Sequence, residues 1–479
     1  MVVIKFGGSS VATAAALRRV VSIVAAERRP RVVVVSALGG VTDTLLGLAA
    51  RAASGDEAAA HRALQQLRDR HASLAAGVRD DADRQTLLAC LDAAWRDVAT
   101  LVGAAALLKA CPPAATDAIV AHGELASSRL VAAILTDAGQ PAQWIDARSV
   151  VVTDARHQQA SPCVEETADR LSQRVLPLVE RGAVPVLGGF IGATTAGATS
   201  TLGRGGSDLS ASLVGACLGA TEIQIWTDVD GMLTADPRIF GRARAVDRLS
   251  FNEASALARF GAKVLHPSTV RPAVLASIPV RILNSHRPAG RGTTVTAGPV
   301  RRAAPAAGIA SLTDLSVFDV PLPDGAGRPA ALAAVYGACA RAEAPVHLTA
   351  VSDGSVAIVV DDGETGDRVA AHLDPEWRAT RRGGLALVAA VGDAFASGRG
   401  IAGRVMAAFD AVPVHLISHA PGANHLACVV EQSDLASAVE TLHACLFERH
   451  ASYDEGDPAS DLVVAPQRAF RGTSPELRA

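Results

Sequence analysis

"RVVVVS", residues Arg31–Ser36, is an unbroken apolar run closed by a hydroxyl. A run without alternation marks a strand buried on both faces. Upstream, Val2–Phe6 ("VVIKF") reads as another short strand. Between the two, Val11–Glu27 carries apolar residues at helical spacing, with Arg18, Arg19 and Arg28 on or near its polar side. Strand, helix and buried strand make a βαβ unit, and such units build parallel sheets. The alternation continues downstream. Residues 41–136 read as mostly helical, with a break near Cys111-Pro112-Pro113, and a helix over 165–181 feeds the strand "AVPVLGGFIG". Residues 193–203 read as a loop or hairpin, and a helix over 208–219 leads into the strand "EIQIWTD". The expected fold class is therefore α/β, around a mainly parallel sheet.

Composition narrows the function classes. A chain of 479 residues predicts two to four domains. It is 49% hydrophobic with a mean hydropathy of +0.26, which disfavours disorder, and 3% aromatic, so its cores are aliphatic. A net charge of −3 supplies no basic field, so no nucleic-acid partner is expected. The seven cysteines (90, 111, 163, 217, 339, 428 and 445) include no C-x-x-C pair, which predicts reduced, buried thiols in a cytoplasmic protein. The start reads as no signal peptide, and no apolar run suggests a membrane partner. Pro, Gly and Arg cluster over 284–308, which predicts a domain boundary. Beyond it, "APVHLTAVS" is echoed by "VPVHLISHA", the sign of a repeated βαββ unit. The expected division is 1–290, 305–375, 384–450 and a loose tail over 451–479.

Chemistry concentrates at strand ends, where open α/β sheets bind ligands. Only three lysines stand among 45 basic residues: Lys5, Lys109 and Lys263. Lys5 closes the first strand and is followed by Gly7-Gly8, an arrangement suited to a phosphate or to a tight turn. Neither G-x-x-x-x-G-K-[ST] nor G-x-G-x-x-G is found at this strand, which disfavours a Walker-type ATPase and a dinucleotide enzyme. "SALGGVTD" ends a neighbouring strand the same way, with Thr42 or Asp43 as expected helix caps. Glu124, in "HGELASSRL", sits at an expected helix start, where it could complement the dipole or hold an ammonium. "TLGRGGSDLSASL" surrounds Arg204 with three glycines before a helix; it reads as an anion site, with Ser207 or Asp208 as alternative N-caps. "IWTDVDGMLTADPRI" sets several acids and Arg238 beyond a strand.

Taken in order, K-F-G-G-S-S, G-F-I-G, L-G-R-G-G-S-D, W-T-D-V-D-G with D-P-R, and F-G-A-K-V-L-H-P resemble the aspartate kinase family, of the amino-acid-kinase fold, which implies a three-layer αβα sandwich around that mainly parallel sheet. The similarity spans roughly 1–290, and the remainder resembles the paired α+β ACT modules that follow such kinases, closest to the lysine-sensitive monofunctional type. The resemblance implies transfer of the ATP γ-phosphoryl group to the β-carboxylate of L-aspartate, the entry to lysine, threonine and methionine biosynthesis. It implies Lys5 and Asp208 as catalytic residues. ATP, with Mg²⁺ carried on the nucleotide, would meet Lys5, Phe6, Gly7, Gly8, Ser10, Thr227, Asp228, Leu233, Arg238, Lys263 and Val264. Aspartate would meet Ser36, Thr42, Glu124, Phe190, Arg204, Gly205, Gly206 and Ser207. A homodimer through the ACT modules is also implied. Departures are Ser9 for a common threonine, Leu233 for a tyrosine of lysine-sensitive relatives, and His347 for an aspartate of their lysine-binding stretch. Two other readings stay open: a kinase of the same fold acting on glutamate, acetylglutamate or UMP, and a catalytically inactive amino-acid sensor.

Overall fold

The structure, a computed structural model, describes residues 1–262, 267–322, 328–396, 398 and 400–448. The N-terminal half is built on an eight-stranded sheet in the order Ala142–Ile145, Val184–Gly188, Arg31–Val35, Val2–Phe6, Glu222–Thr227, Val280–Asn284, Thr293–Thr296, Arg248–Ser250. All neighbours are parallel except Val280–Asn284 with Thr293–Thr296. Residues Val32–Val35 are fully buried, as the unbroken run predicts.

Strand parity sorts the first strand's side chains. Val2, Ile4 and Phe6 enter one apolar cluster, with the helices of residues 14–135. Val3 enters the cluster on the other face, with helix Gly206–Cys217. Lys5 shares the parity of Val3, so it faces the helix that carries Asp208. Its burial, to 8% exposure, costs several kcal/mol unless the charge is paired. The four apolar neighbours each contribute about 1.5–3 kcal/mol on burial, enough to hold the strand with a cation in it.

Several expectations are corrected locally. The helix expected over 11–27 is split: a single turn, Gly8–Val11, precedes Ala14–Ala26, whose N-cap Thr13 accepts from the Ala16 amide. Residues 193–203 take the second of their two expected forms, within a hairpin of Ile191–Thr194 with Thr199–Thr201. The stretch Pro113–Asp137 is long and apolar enough to cross a membrane, contrary to expectation, but 78% of that window is buried inside the protein. Of the cysteines, Cys339 and Cys428 are buried; the other five are only partly so, and all seven are free.

The C-terminal half is one antiparallel six-stranded sheet, ordered Leu348–Val351, Ser355–Asp361, Gly308–Pro321, Thr380–Val391, His425–Glu431, Val414–Ser418. Each half of it is a βαββ unit, joined through the two long central strands. The echoed histidines occupy matching places: His347 Nε2 meets Asp361 at 2.8 Å and His415 Nε2 meets Glu431 at 2.8 Å. The tail after residue 448 lies outside the described residues.

Candidate active site

Two glycine-ended loops pack against each other beside the carboxyl ends of strands Val2–Phe6 and Arg31–Val35. The Gly39 amide donates to the Gly8 carbonyl at 3.0 Å, and a Cβ on Gly8 would lie 2.9 Å from the Ala37 carbonyl. Gly188 and Gly189 serve the next strand end similarly. A Cβ at Gly188 would lie 3.0 Å from that of Glu124, and one at Gly189 would lie 2.7 Å from that of Ser207. Bare backbone thus lets helices His122–Asp137 and Gly206–Cys217 close onto the sheet edge.

Between these elements lies a cleft of about 1080 Å³, lined by Lys5, Gly8, Ser36, Thr42, Glu124, Phe190, Arg204, Gly205, Gly206, Ser207 and Asp208, among others. Nine of these, all but Lys5 and Gly8, come from other sequence stretches, up to 203 residues along the chain from Lys5. At one point of the cleft Lys5 Nζ pairs with Asp208 Oδ1 at 2.6 Å. Neither Ser207 nor Asp208 caps the helix: Gly205, in the left-handed region at φ 70°, is the N-cap. Both side chains are therefore left on the first turn, beside the helix's positive end. Likewise Gly40, at φ 82°, replaces Thr42 and Asp43 as N-cap of Val41–Ala53.

Glu124 is 2% exposed. Its Oε1 accepts from the Ala37 amide at 3.1 Å, while buried Oε2 has no partner among the described residues. Burial pushes its carboxyl up to about 8, with the Ala37 hydrogen bond and the charge of Lys5 pulling the other way. A carboxylate so placed lacks a cation. Arg204 is exposed, and among the described residues no hydrogen bond or ion pair holds its guanidinium. Phe190, at φ 63°, takes a backbone conformation that costs a bulky residue on the order of 1–3 kcal/mol. It is held there because its amide donates to Ser210 Oγ at 2.9 Å and its carbonyl accepts from Leu202 at 2.9 Å.

The residues expected at the nucleotide are less gathered. Phe6 is fully buried and stacks on Trp226, ring centroids 6.4 Å apart, so only its backbone reaches the strand end. Gly7 donates to the Trp226 carbonyl. The Ser10 hydroxyl is engaged with Ser285 Oγ at 2.8 Å and the Trp226 carbonyl at 3.3 Å. Thr227 and Asp228 lie at the end of strand Glu222–Thr227, hydrogen-bonded to each other at 3.1 Å. Leu233 bridges to Ala245, and exposed Arg238 forks onto Asp236 at 2.6 Å. None of these six side chains lines the cleft. Lys263 and Val264 lie outside the described residues. Asp117, to which no sequence motif pointed, also lines the cleft, at 1% exposure.

A family model described as the amino acid kinase family matches residues 1–284. The chain is 35% identical over 467 residues to lysine-sensitive aspartokinase 3 of Escherichia coli K12, covering 94% of this chain and 99% of that one. It is 30% identical over 481 residues to the chloroplastic aspartokinase 1 of Arabidopsis thaliana, covering 97% and 82%. Among solved structures, E. coli aspartokinase III in complex with aspartate and ADP superposes with a TM-score of 0.78 at 34% identity, covering 94% of this chain and all of that one. The same enzyme with lysine and aspartate gives 0.81 at 33% identity, with the same coverage.

Proposed function

We propose, for a chain that belongs to the amino acid kinase family and within it to the aspartokinases, a division of its cleft into a phosphoryl end and an acceptor end. The activity is that of an aspartate kinase: the β-carboxylate of L-aspartate attacks the γ-phosphorus of ATP, the bond to the β-phosphate oxygen breaks, and 4-phospho-L-aspartate and ADP leave. The attacking carboxylate is already ionised at neutral pH and needs no general base. What the protein must supply is positioning and charge.

We assign Lys5 to the transferring phosphoryl group and Gly7-Gly8 to the phosphates. The 2.6 Å contact supports Asp208 as the group that orients Lys5 between turnovers. Arg204, unpartnered, is suited to fork onto the substrate's α-carboxylate. The amides of Gly205, Gly206 and Ser207 would assist it at the helix N-terminus. Glu124 would take the α-ammonium, with Ser36, Thr42 and Phe190 closing the pocket. The unpartnered, buried Oε2 of Glu124 in the cleft of Lys5 and Arg204 is the observation that carries this reading. Thr227, Asp228, Leu233, Arg238, Lys263 and Val264 are assigned to the nucleotide's outer part. Mg²⁺ would supply charge neutralisation on the phosphates. Asp208, in the cleft beside Lys5, is the acid that would stand nearest an ion carried on the phosphates.

The catalytic unit is assigned to 1–290 and the ACT-like regulatory units to 305–375 and 384–450. The exposed apolar side chains of Val351 and Ile417, on strands Leu348–Val351 and Val414–Ser418, support a homodimer through those units. Seven free thiols support a cytoplasmic location.

Acceptor analogues test the assignments. Succinate lacks the ammonium, and β-alanine lacks the α-carboxylate. Glu124→Gln should cost about a hundredfold in kcat/KM with aspartate and less than threefold with succinate; Arg204→Ala should do the same for aspartate against β-alanine. Equal losses on both members of a pair would refute that assignment.

A further inference from the structure

The cleft wall contains a buried carboxylate with no role in the division above. Asp117 stands on helix Pro113–Val120 at 1% exposure. Its Oδ1 accepts from Thr201 Oγ1 at 2.6 Å. The Gln158 amide donates to both oxygens, at 3.1 and 3.0 Å. Oδ2 also meets His157 Nδ1 at 2.8 Å. One side chain thus ties three segments that are distant in sequence: its own helix, the loop of residues 154–160, and the end of strand Thr199–Thr201.

The strand end leads straight to Arg204. Because nothing among the described residues holds that guanidinium, its aim depends on the backbone of residues 201–205. That backbone is fastened on the Asp117 side. The Thr201 carbonyl accepts from the Ala160 amide at 2.9 Å. Gly203 lies so close to the loop that a Cβ there would come within 3.1 Å of the Gln158 carbonyl. Gln158 itself is held at φ 67°, a conformation unfavourable for a residue with a side chain, and its amide is the one bound by Asp117.

We propose that Asp117 is a positioning residue for aspartate: by fixing Thr201 and Gln158 it sets the loop from which Arg204 meets the α-carboxylate. This rests on the assignment of Arg204 above. Asp117 has no part at the phosphoryl end, so its loss falls on one substrate and not the other. A residue that only stabilised the fold would not discriminate between them.

Steady-state kinetics on the full chain test the proposal, with Asp117→Asn, Thr201→Val and Arg204→Ala singly and combined. Asp117→Asn should raise KM for aspartate about tenfold, with KM for ATP within twofold of wild type. Thr201→Val, which keeps the shape and removes the hydroxyl that Asp117 accepts from, should reproduce the split at about threefold. It carries the test alone if Asp117→Asn does not fold. In the Arg204→Ala background either change should add less than twofold, because the group they position is gone. Effects that multiply with Arg204→Ala, or an equal rise in both KM values, would overturn the proposal. If Arg204→Ala raises KM for aspartate and Thr201→Val leaves it unmoved, the proposal alone fails. If Arg204→Ala itself leaves that KM unmoved, the assignment of Arg204 fails.

Discussion

At Glu124 burial and chemistry oppose each other. The fold encloses a carboxyl that without its cation holds a proton up to about pH 8, against an ordinary value of 4.5. An ammonium arriving at Oε2 requires the charged form, so aspartate must expel that proton. KM for aspartate should therefore rise as pH falls below about 8, approaching tenfold per unit, and Glu124→Gln should flatten the profile. Calorimetry in buffers of different ionisation enthalpy should find about one proton released per aspartate bound at pH 7; no release would contradict the assignment. The same shift acts on stability. Between 4.5 and about 8 the native state binds a proton that the unfolded chain has lost, so this residue's contribution falls as pH rises across that window. Lys5, Glu124, Arg204 and Asp208 stood out in the sequence because rare or charged residues lay near glycines, at a strand end for Lys5 and at or just before helix starts for the other three. Asp117 did not, because its meaning comes from Thr201, 84 positions away, and an acid in "ATDAIV" otherwise reads as a solvated helix residue.

Among the elements, parity and close approach do the arranging. Alternation along "VVIKF" was enough to put Lys5 on a definite face. The sequence did not reveal how closely the glycine-ended loops pack, since that distance belongs to two strands at once. Gly8→Ala tests it. The new methyl would meet backbone, the Ala37 carbonyl at 2.9 Å and the Gly39 amide at 3.3 Å, and no rotamer can relieve that. The expected cost is about 1–3 kcal/mol in thermal or chemical melts and at least about a hundredfold in kcat/KM, since the loops beside Lys5 must part. Wild-type melting and turnover would show that the two loops do not depend on this contact. The capping expectations for Ser207, Asp208, Thr42 and Asp43 missed for a related reason. Glycine in the left-handed region can end a loop as effectively as a side-chain cap, and sequence alone does not choose between them.

The whole molecule joins two sheets that the sequence predicted separately. It gave no sign of how they meet, because the joining residues are far apart in the chain. Ala235 and Phe240, beyond strand Glu222–Thr227, share an apolar cluster with Ile309, Val388, Phe395 and Leu442 of the C-terminal half. Thr234 Oγ1 meets buried His443 Nε2 at 3.0 Å. Buried Glu253 accepts from Arg302 at 2.7 Å and from the Asp393 amide at 3.0 Å. The N-terminal half thus rests on the C-terminal sheet, while the cleft opens at the strand ends of the first sheet. The central claim is that this cleft separates two anions, a phosphoryl group at Lys5 and a carboxylate at Arg204. The most direct test is steady-state kinetics of Lys5→Arg, which keeps the charge but replaces a compact ammonium with a planar fork. In this variant kcat should fall about a hundredfold or more while KM for aspartate stays within threefold. Turnover near wild type, or a loss confined to aspartate binding, would contradict it.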